Sequence, residues 1–127
     1  EAVGVTGRVD AVEGDKTASR LSRANLADLV WAHHHRAPVE RWLAGGHRSH
    51  ADIVVLDPPR SGAGRAVVTA AARRKPRSIV YVACDPVALA RDAKYLSALG
   101  YKLIRLRAFD LFPMTKHVEA VALFTRD

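Results

Sequence analysis

The single cysteine of the chain, Cys84, lies in the stretch VYVACDPVALARD (80–92), between an apolar run and a helical pattern. Asp85 and Pro86, which follow it, are typical of the N-cap and the first position of a helix. The unpaired N–H groups and the positive dipole end of such a helix favour a thiolate, whereas the charge of Asp85 opposes it. A lone cysteine is also often a small apolar core residue. The local sequence therefore leaves both a nucleophile and a core thiol open.

Other polar side chains that could take part in binding or catalysis also lie at the ends of strand patterns. Asp57 ends DIVVLD and begins a turn that two prolines stiffen, and Arg60 in that turn can pair with a phosphate or with a surface acid. Glu13 ends RVDAVE, a position suited to accepting hydrogen bonds from a ribose diol. His117 and Glu119 are two residues apart and share one face of a strand. The alternative for Asp57 is a turn-forming residue or a cap, and the alternative for the others is a solvated surface position.

Strand and helix patterns alternate along most of the chain, which predicts a mostly parallel sheet covered by helices. No helix pattern separates the last two strands, so we expect the final strand to be antiparallel and to form a C-terminal hairpin. The predicted strands are 8–13, 30–35, 51–59, 78–84, 101–109 and 117–126, and the predicted helices are 15–29, 38–46, 64–74 and 86–99.

One edge of this sheet would collect the polar residues. Ligands of open parallel sheets bind outside the carboxyl ends of the strands. Glu13, Asp57 and Cys84 each end a predicted strand. An antiparallel last strand would begin at the same edge and add His117 and Glu119. We therefore expect carboxylates, a thiol and an imidazole along one edge.

The composition limits the class of protein. The 127 residues suit one soluble α/β domain, and the single cysteine excludes an internal disulfide framework and suits the reducing cytoplasm. No apolar run has the roughly 18 residues that a membrane helix needs. A net charge of +7 and a pI of about 10.2 are compatible with RNA binding, or with a solvated basic surface alone. The triplet His33–His35 cannot ligate one ion from alternating strand faces, so we expect no metal site.

Three motifs together resemble the catalytic domain of the RNA uracil-5-methyltransferases: DIVVLDPPRSGAG, IVYVACDPVALARD and GYKLIRLRAFDLFPMTKHVEAVALF. The resemblance extends from about residue 8 to the end. Enzymes of this family use S-adenosylmethionine to make 5-methyluridine in tRNA or rRNA, on a Rossmann-like class I methyltransferase sheet. The resemblance implies that Cys84 is the nucleophile and Glu119 the general base. It also implies that Asp57 and Glu13 bind the cofactor and that RNA is the partner.

The chain departs from the family pattern in three places. Ala83 replaces the serine that commonly precedes the nucleophile, and HHHRAPVE lacks an evident acidic residue near the adenine. Nothing in the sequence corresponds to the first strand and its glycine-rich loop. We therefore expect residues 1–127 to be the C-terminal portion of a longer catalytic domain. Without the first strand its neighbours would be exposed and half of the cofactor pocket missing, so activity of the isolated chain stays open.

Two alternatives belong to other functional classes. A non-catalytic RNA-binding or scaffold domain of the same fold would explain the positive charge and the missing loop. A methyltransferase acting on a nucleobase amine would need no thiol. Replacing Cys84 by alanine separates this amine-modifying enzyme from a uracil-5-methyltransferase, because only a thiol-dependent enzyme would lose turnover.

Overall fold

A computed structural model of the chain describes residues 3–46, 50–111, 114 and 118–126. The chain divides into two compact units, Glu1–His47 and Arg48–Asp127. Strands and helices alternate in both, which confirms the predicted α/β class. No helix within these described ranges is long and apolar enough to cross a membrane.

The first unit is a strand–helix–strand motif followed by a short helix. Its elements are β1 (Val9–Glu13), α1 (Lys16–Asn25), β2 (Ala32–Arg36) and α2 (Val39–Ala44). The two strands are parallel, with Val9 opposite Ala32 and Glu13 opposite Arg36. A crossover through a helix, such as α1, is the usual way to connect adjacent parallel strands.

Helix α1 begins where the sequence predicts and ends earlier. The Asp15 side chain accepts hydrogen bonds from the backbone N–H groups of Thr17 and Ala18 at 2.9 and 2.8 Å, which is an N-cap. The predicted end at residue 29 is wrong, because the helix stops at Asn25. A separate turn follows, in which the Leu29 N–H donates to the Leu26 carbonyl at 3.0 Å. The prediction was too long because the helical spacing of apolar residues in the sequence extends into this turn, which is not part of the helix.

The second unit is a four-stranded sheet with two helices. Its elements are β3 (Ile53–Leu56), α3 (Gly64–Arg73), β4 (Ser78–Ala83), α4 (Pro86–Ala98), β5 (Lys102–Phe109) and β6 (Glu119–Thr125). The strand order is β3-β4-β6-β5. β3 and β4 are parallel, and β6 is antiparallel to both of its neighbours. Three strands therefore share a direction and the last one opposes them, as predicted.

One face of this sheet is buried beneath the two helices. Alternate residues of β4 and β6 are buried, as expected when only one side of a sheet meets the core. α4 packs on β4 and β5, and α3 packs on α4. The buried side chains from the strands are Ile79, Tyr81, Ala83, Ala120, Ala122 and Phe124, and those from the helices include Val68, Ala71, Leu89 and Leu96.

Strand β3 forms an edge of the sheet. In the described part of the chain it pairs with β4 on one side only. Two of its apolar side chains are largely exposed, Ile53 at 50% and Val55 at 65%. Strand β3 therefore presents an unpaired edge and exposed apolar side chains in this part of the chain, and the missing first strand stays a prediction.

Candidate active site

Cys84 immediately follows β4 and precedes α4. Asp85 is the N-cap of α4, and its carboxylate accepts a hydrogen bond from the Ala88 N–H at 2.8 Å. Pro86 occupies the first turn, as predicted. The Cys84 thiol is free and only partly buried. The thiol therefore lies at the positive end of a 13-residue helix, and part of the opposing Asp85 charge is taken up by the capping bond.

Glu119 is the first residue of β6, the strand between β4 and β5. Ala83 lies opposite Ala120 in the antiparallel β4–β6 pair. Continuing that register by one residue places Cys84 opposite Glu119. Directly opposed residues in antiparallel strands share a face, with their Cα atoms about 4.5–5.5 Å apart. By this extrapolation Cys84 and Glu119 are neighbours at the edge of the sheet, and their roles as nucleophile and base stay predictions.

Glu119 lines an open, mostly apolar hollow at this end of the sheet. The hollow has a volume of about 410 Å³ and is lined by Val82, Phe109, Leu111, Glu119, Ala120 and Val121. Phe109 is the direct strand partner of Glu119. Of these six described residues only Glu119 is charged. A planar ring placed here would contact apolar walls and meet one carboxylate.

Asp57 and Arg60 belong to the turn between β3 and α3. Leu56, the last residue of β3, is buried and lies opposite Tyr81 of β4. Asp57 follows it at the same carboxyl edge as Cys84. Both Asp57 and Arg60 are exposed. The structure therefore places Asp57, Cys84 and Glu119 on one edge, as predicted, with Arg60 in the adjoining turn.

Glu13 lies in the first unit, at the carboxyl end of β1. One of its carboxylate oxygens accepts a hydrogen bond from the Asp15 N–H at 2.7 Å. This bond holds the carboxylate beside the N-terminus of α1. The position within β1 agrees with the prediction, whereas its grouping with Cys84 and Glu119 stays a prediction. His117 lies outside the described residues, so its role stays a prediction too.

The histidine triplet makes structural contacts on opposite sides of β2. The His34 Nε2 atom lies 2.8 Å from the Ser19 hydroxyl of α1. The His35 Nε2 atom lies 2.8 Å from the Asp10 carboxylate, and its ring packs against Trp42 at 5.2 Å. No group of three His, Cys, Asp or Glu side chains in the described ranges is arranged to hold a metal ion.

A buried carboxylate that the sequence reading missed lies close to this edge. Asp92 of α4 has no exposed surface and accepts hydrogen bonds from Tyr81, Arg91 and the backbone of the turn before α3. A helical signal was present, because Asp92 occupies the same face as Ala88 and Leu96, four residues to either side. An acidic residue on the apolar face of a helix is expected to be buried, and a buried carboxylate needs hydrogen-bond donors as partners.

Comparison with known proteins decides the family. The family model tRNA (Uracil-5-)-methyltransferase matches residues 43–127, which is more than half of the chain. The chain belongs to this family. The matched residues include Asp57, Cys84 and Glu119.

Curated relatives that are named as RNA methyltransferases match nearly the whole chain. An uncharacterised RNA methyltransferase of Streptomyces avermitilis is 46% identical over 121 residues, covering 95% of this chain and 28% of the relative. One from Bifidobacterium longum is 44% identical over 123 residues, covering 94% of this chain and 28% of the relative. The chain thus spans little more than a quarter of the length of these relatives.

Solved structures of methyltransferases match the fold. The tRNA (uracil-54, C5)-methyltransferase of Pyrococcus abyssi, in complex with S-adenosyl-L-homocysteine, has a TM-score of 0.77 and 34% identity. That match covers 93% of this chain and 28% of the archaeal enzyme. Fibrillarin of Aeropyrum pernix, at 17% identity and a TM-score of 0.73 over 94% of this chain and 56% of fibrillarin, shares the fold. The Rossmann-like methyltransferase fold is therefore confirmed.

Proposed function

We propose that these 127 residues are the C-terminal portion of the catalytic domain of an RNA methyltransferase that methylates carbon 5 of a uridine in tRNA or rRNA. The observation that supports this most strongly is the β4–β6 register, whose last pair is Ala83 and Ala120, because Cys84 directly follows Ala83 and Glu119 directly precedes Ala120. A thiol and a carboxylate in that arrangement are the two groups that substitution at carbon 5 requires.

The chemistry begins with the low reactivity of carbon 5 of uracil. The Cys84 thiolate forms a bond to carbon 6, and the electrons of the 5,6 double bond move into an enolate, which makes carbon 5 nucleophilic. Carbon 5 would then bond to the cofactor's methyl carbon while the bond from that carbon to the sulfonium sulfur breaks, and a neutral thioether would leave. Glu119 removes the proton from carbon 5, the 5,6 double bond re-forms and the bond from carbon 6 to the Cys84 sulfur breaks. The thiolate is regenerated.

S-adenosylmethionine is the proposed cofactor, and it supplies an electrophilic methyl group on a sulfonium. Glu13 would accept hydrogen bonds from the ribose hydroxyls, because it is the last residue of a parallel strand and the Asp15 N–H holds its carboxylate at that edge. Asp57, which follows the end of β3, is the other proposed cofactor contact. The P. abyssi enzyme, whose structure holds S-adenosyl-L-homocysteine, supports this cofactor.

RNA is the proposed partner, and the cytoplasm the proposed compartment. The net charge of +7 favours a polyanion, because each neutralised phosphate releases counterions. The target uridine has to leave any base stack to reach the apolar hollow beside Glu119. Arg60 and His117 are the proposed contacts to the RNA.

Tritium release from RNA containing [5-³H]uridine tests this function. The protein at its natural length, given S-adenosylmethionine, should release one tritium for each methyl group transferred. Cys84→Ala should reduce both signals to background, because carbon 5 is no longer activated. Glu119→Gln should slow tritium release while Cys84 still attacks the base.

The other two functional classes give different results. Methyl transfer without tritium release would identify an enzyme that modifies a nucleobase amine. RNA binding without any transfer would identify a non-catalytic RNA-binding domain. Either result would overturn the proposed function.

A further inference from the structure

The N-terminus of α3 is capped by a carboxylate from a different helix. Ala63, at the N-cap position of α3, provides no side-chain cap. Instead Asp92 Oδ2 accepts from the Ala63 N–H at 2.7 Å and from the Gly64 N–H at 3.1 Å. These N–H groups are among those that a helix leaves unpaired, and a negative charge there is favoured by the helix dipole.

Two further side chains complete this cap, which we call the Asp92 cluster (Tyr81, Arg91 and Asp92). The Tyr81 hydroxyl donates to Asp92 Oδ2 at 2.7 Å and accepts from the Ala63 N–H at 3.0 Å. Arg91 donates to Asp92 Oδ1 from Nε and Nη2 at 3.0 and 2.9 Å. Arg91 Nη2 also donates to the Ser61 carbonyl at 2.8 Å.

The charge state of the Asp92 cluster follows from these bonds. Burial opposes ionisation of Asp92, but the hydrogen bonds from Tyr81, Gly64 and Arg91 outweigh it and hold the pKa of its carboxyl below the usual value. Burial, together with the bond to Asp92, raises the pKa of Tyr81 above its ordinary value. Asp92 is therefore the acceptor and Tyr81 a donor throughout the neutral pH range.

The turn 57–64 passes so close to the Asp92 cluster that it requires a glycine. Gly62 has a φ of +79°, and a Cβ atom there would lie 2.7 Å from Asp92 Oδ2 and 2.5 Å from Arg91 Nη2. The Arg91 end is partly exposed and could move, whereas the Asp92 oxygen is fixed by three donors. Gly64 has a similar φ of +75°, but its Cβ would have no neighbour within 4 Å.

The same cluster touches both chain segments that flank Cys84. Tyr81 lies three residues before Cys84 on β4, and Asp92 lies eight residues after it on α4. The turn 57–64 is fixed at one end by Leu56 in the sheet and at the other by Asp92. Two prolines and the bond from the Gly62 N–H to the Pro59 carbonyl at 2.8 Å stiffen what lies between.

We propose that Asp92 is a positioning residue, which holds the turn 57–64 against α4 so that Asp57 keeps its cofactor-binding geometry relative to Cys84. The role rests on the proposed function, since it concerns the cofactor side of that site. Asp92 itself acts through the turn and contacts no reacting atom.

Amide exchange tests the locking of the turn without reference to activity. In the unaltered chain the Ala63 and Gly64 amides should exchange slowly. Asp92→Asn places an amide where donors converge, and should speed exchange of both about tenfold or more while the β4–β6 amides stay protected. Tyr81→Phe removes one donor and should have a smaller effect. Unchanged exchange rates of the Ala63 and Gly64 amides in Asp92→Asn would overturn the claim that Asp92 holds the turn.

Gly62→Ala provides a second route if Asp92→Asn does not fold. It should speed exchange of the Ala63 and Gly64 amides as Asp92→Asn does, because the new Cβ atom displaces the Asp92 carboxylate. Gly64→Ala is the matched control, with equal backbone strain and no clash, and should leave the Ala63 amide slow to exchange. Equal release in both glycine variants would show that strain alone, and not the Asp92 cluster, governs the turn.

Kinetics of the protein at its natural length separates positioning from mere stability. Asp92→Asn should raise KM for S-adenosylmethionine about tenfold and leave kcat within about twofold, because Cys84 and Glu119 are unaltered. A fall in kcat with KM unchanged would overturn the positioning role. Failure of the unaltered protein to methylate RNA would overturn the proposed function and the positioning role. The exchange rates would still decide whether Asp92 holds the turn 57–64.

Discussion

The two units of this chain share a strand–helix pattern and differ in what holds them together. All apolar residues that are buried in the described chain, from Leu56 to Phe124, lie in the second unit. In the described part of the first unit the one buried residue is Ser19. The second unit therefore holds Cys84 and Glu119 on its own hydrophobic core, whereas the first presents Glu13 from strands that are only half-buried.

Polar contacts take the place of a core in the first unit. Asp10 of β1 accepts from Arg8 at 2.7 Å and lies 2.8 Å from His35 of β2. Ser19 of α1 is bonded to His34, and Asp15 caps the same helix. Partly exposed contacts of this kind contribute less than the burial of large apolar side chains. The comparison indicates that the second unit, which carries Cys84 and Glu119, is the more robust of the two.

The largest expected effect comes from truncating a core side chain of the second unit. Leu96 is fully buried, so Leu96→Ala should lower the free energy of unfolding by about 2–5 kcal/mol. Leu26→Ala is the matched change in the first unit, where the side chain is half-buried, and should cost about 1 kcal/mol. Urea unfolding followed by circular dichroism measures both. Equal losses would contradict the contrast between the units.

A smaller effect should appear when the first unit is acidified. Burial alone would raise the pKa of Asp10, but hydrogen bonds from Arg8 and His35 lower it to about 2. Because the folded-state pKa lies below the unfolded value of 3.8, Asp10 stabilises the fold above pH 4. This contribution, at most about 2 kcal/mol, is lost as the pH falls from about 4 to about 2.

Asp10→Asn is the control for this acid sensitivity. The variant should be less stable than the unaltered chain at pH 6, and the difference should shrink towards pH 2. Thermal unfolding of both proteins across this pH range measures it. A difference that stays constant with pH would show that the ionisation of Asp10 does not stabilise the first unit.

The sequence predicted the fold where local signals decide it. The caps at Asp15 and Asp85 were readable because each precedes a helical pattern at the right distance. The direction of β6 followed from the absence of a helix between the last two strands. The insertion of β6 between β4 and β5 was not readable, because strand order depends on long-range pairing that no short pattern encodes.

The positions of the candidate site residues were readable in part for the same reason. Cys84, Glu119 and Asp57 end or begin strands, so the topology alone places them at one edge. Asp92 was missed because its partners, Tyr81, Arg91 and the Ala63 backbone, converge only in the folded chain. The position of Glu13 at the end of a strand was readable from the strand pattern. Its distance from Cys84 and Glu119 was not readable, because it depends on how distant segments of the chain pack.

Covalent trapping on RNA containing 5-fluorouridine tests the central claim most directly. Fluorine at carbon 5 cannot leave as a proton, so an adduct at carbon 6 should persist after methyl transfer. The protein at its natural length, with S-adenosylmethionine, should form a protein–RNA complex that survives denaturing electrophoresis. Peptide mass spectrometry should place the link on Cys84, and Cys84→Ala should form none. A complex retained in Cys84→Ala, or none with a protein that methylates uridine at carbon 5, would contradict the account.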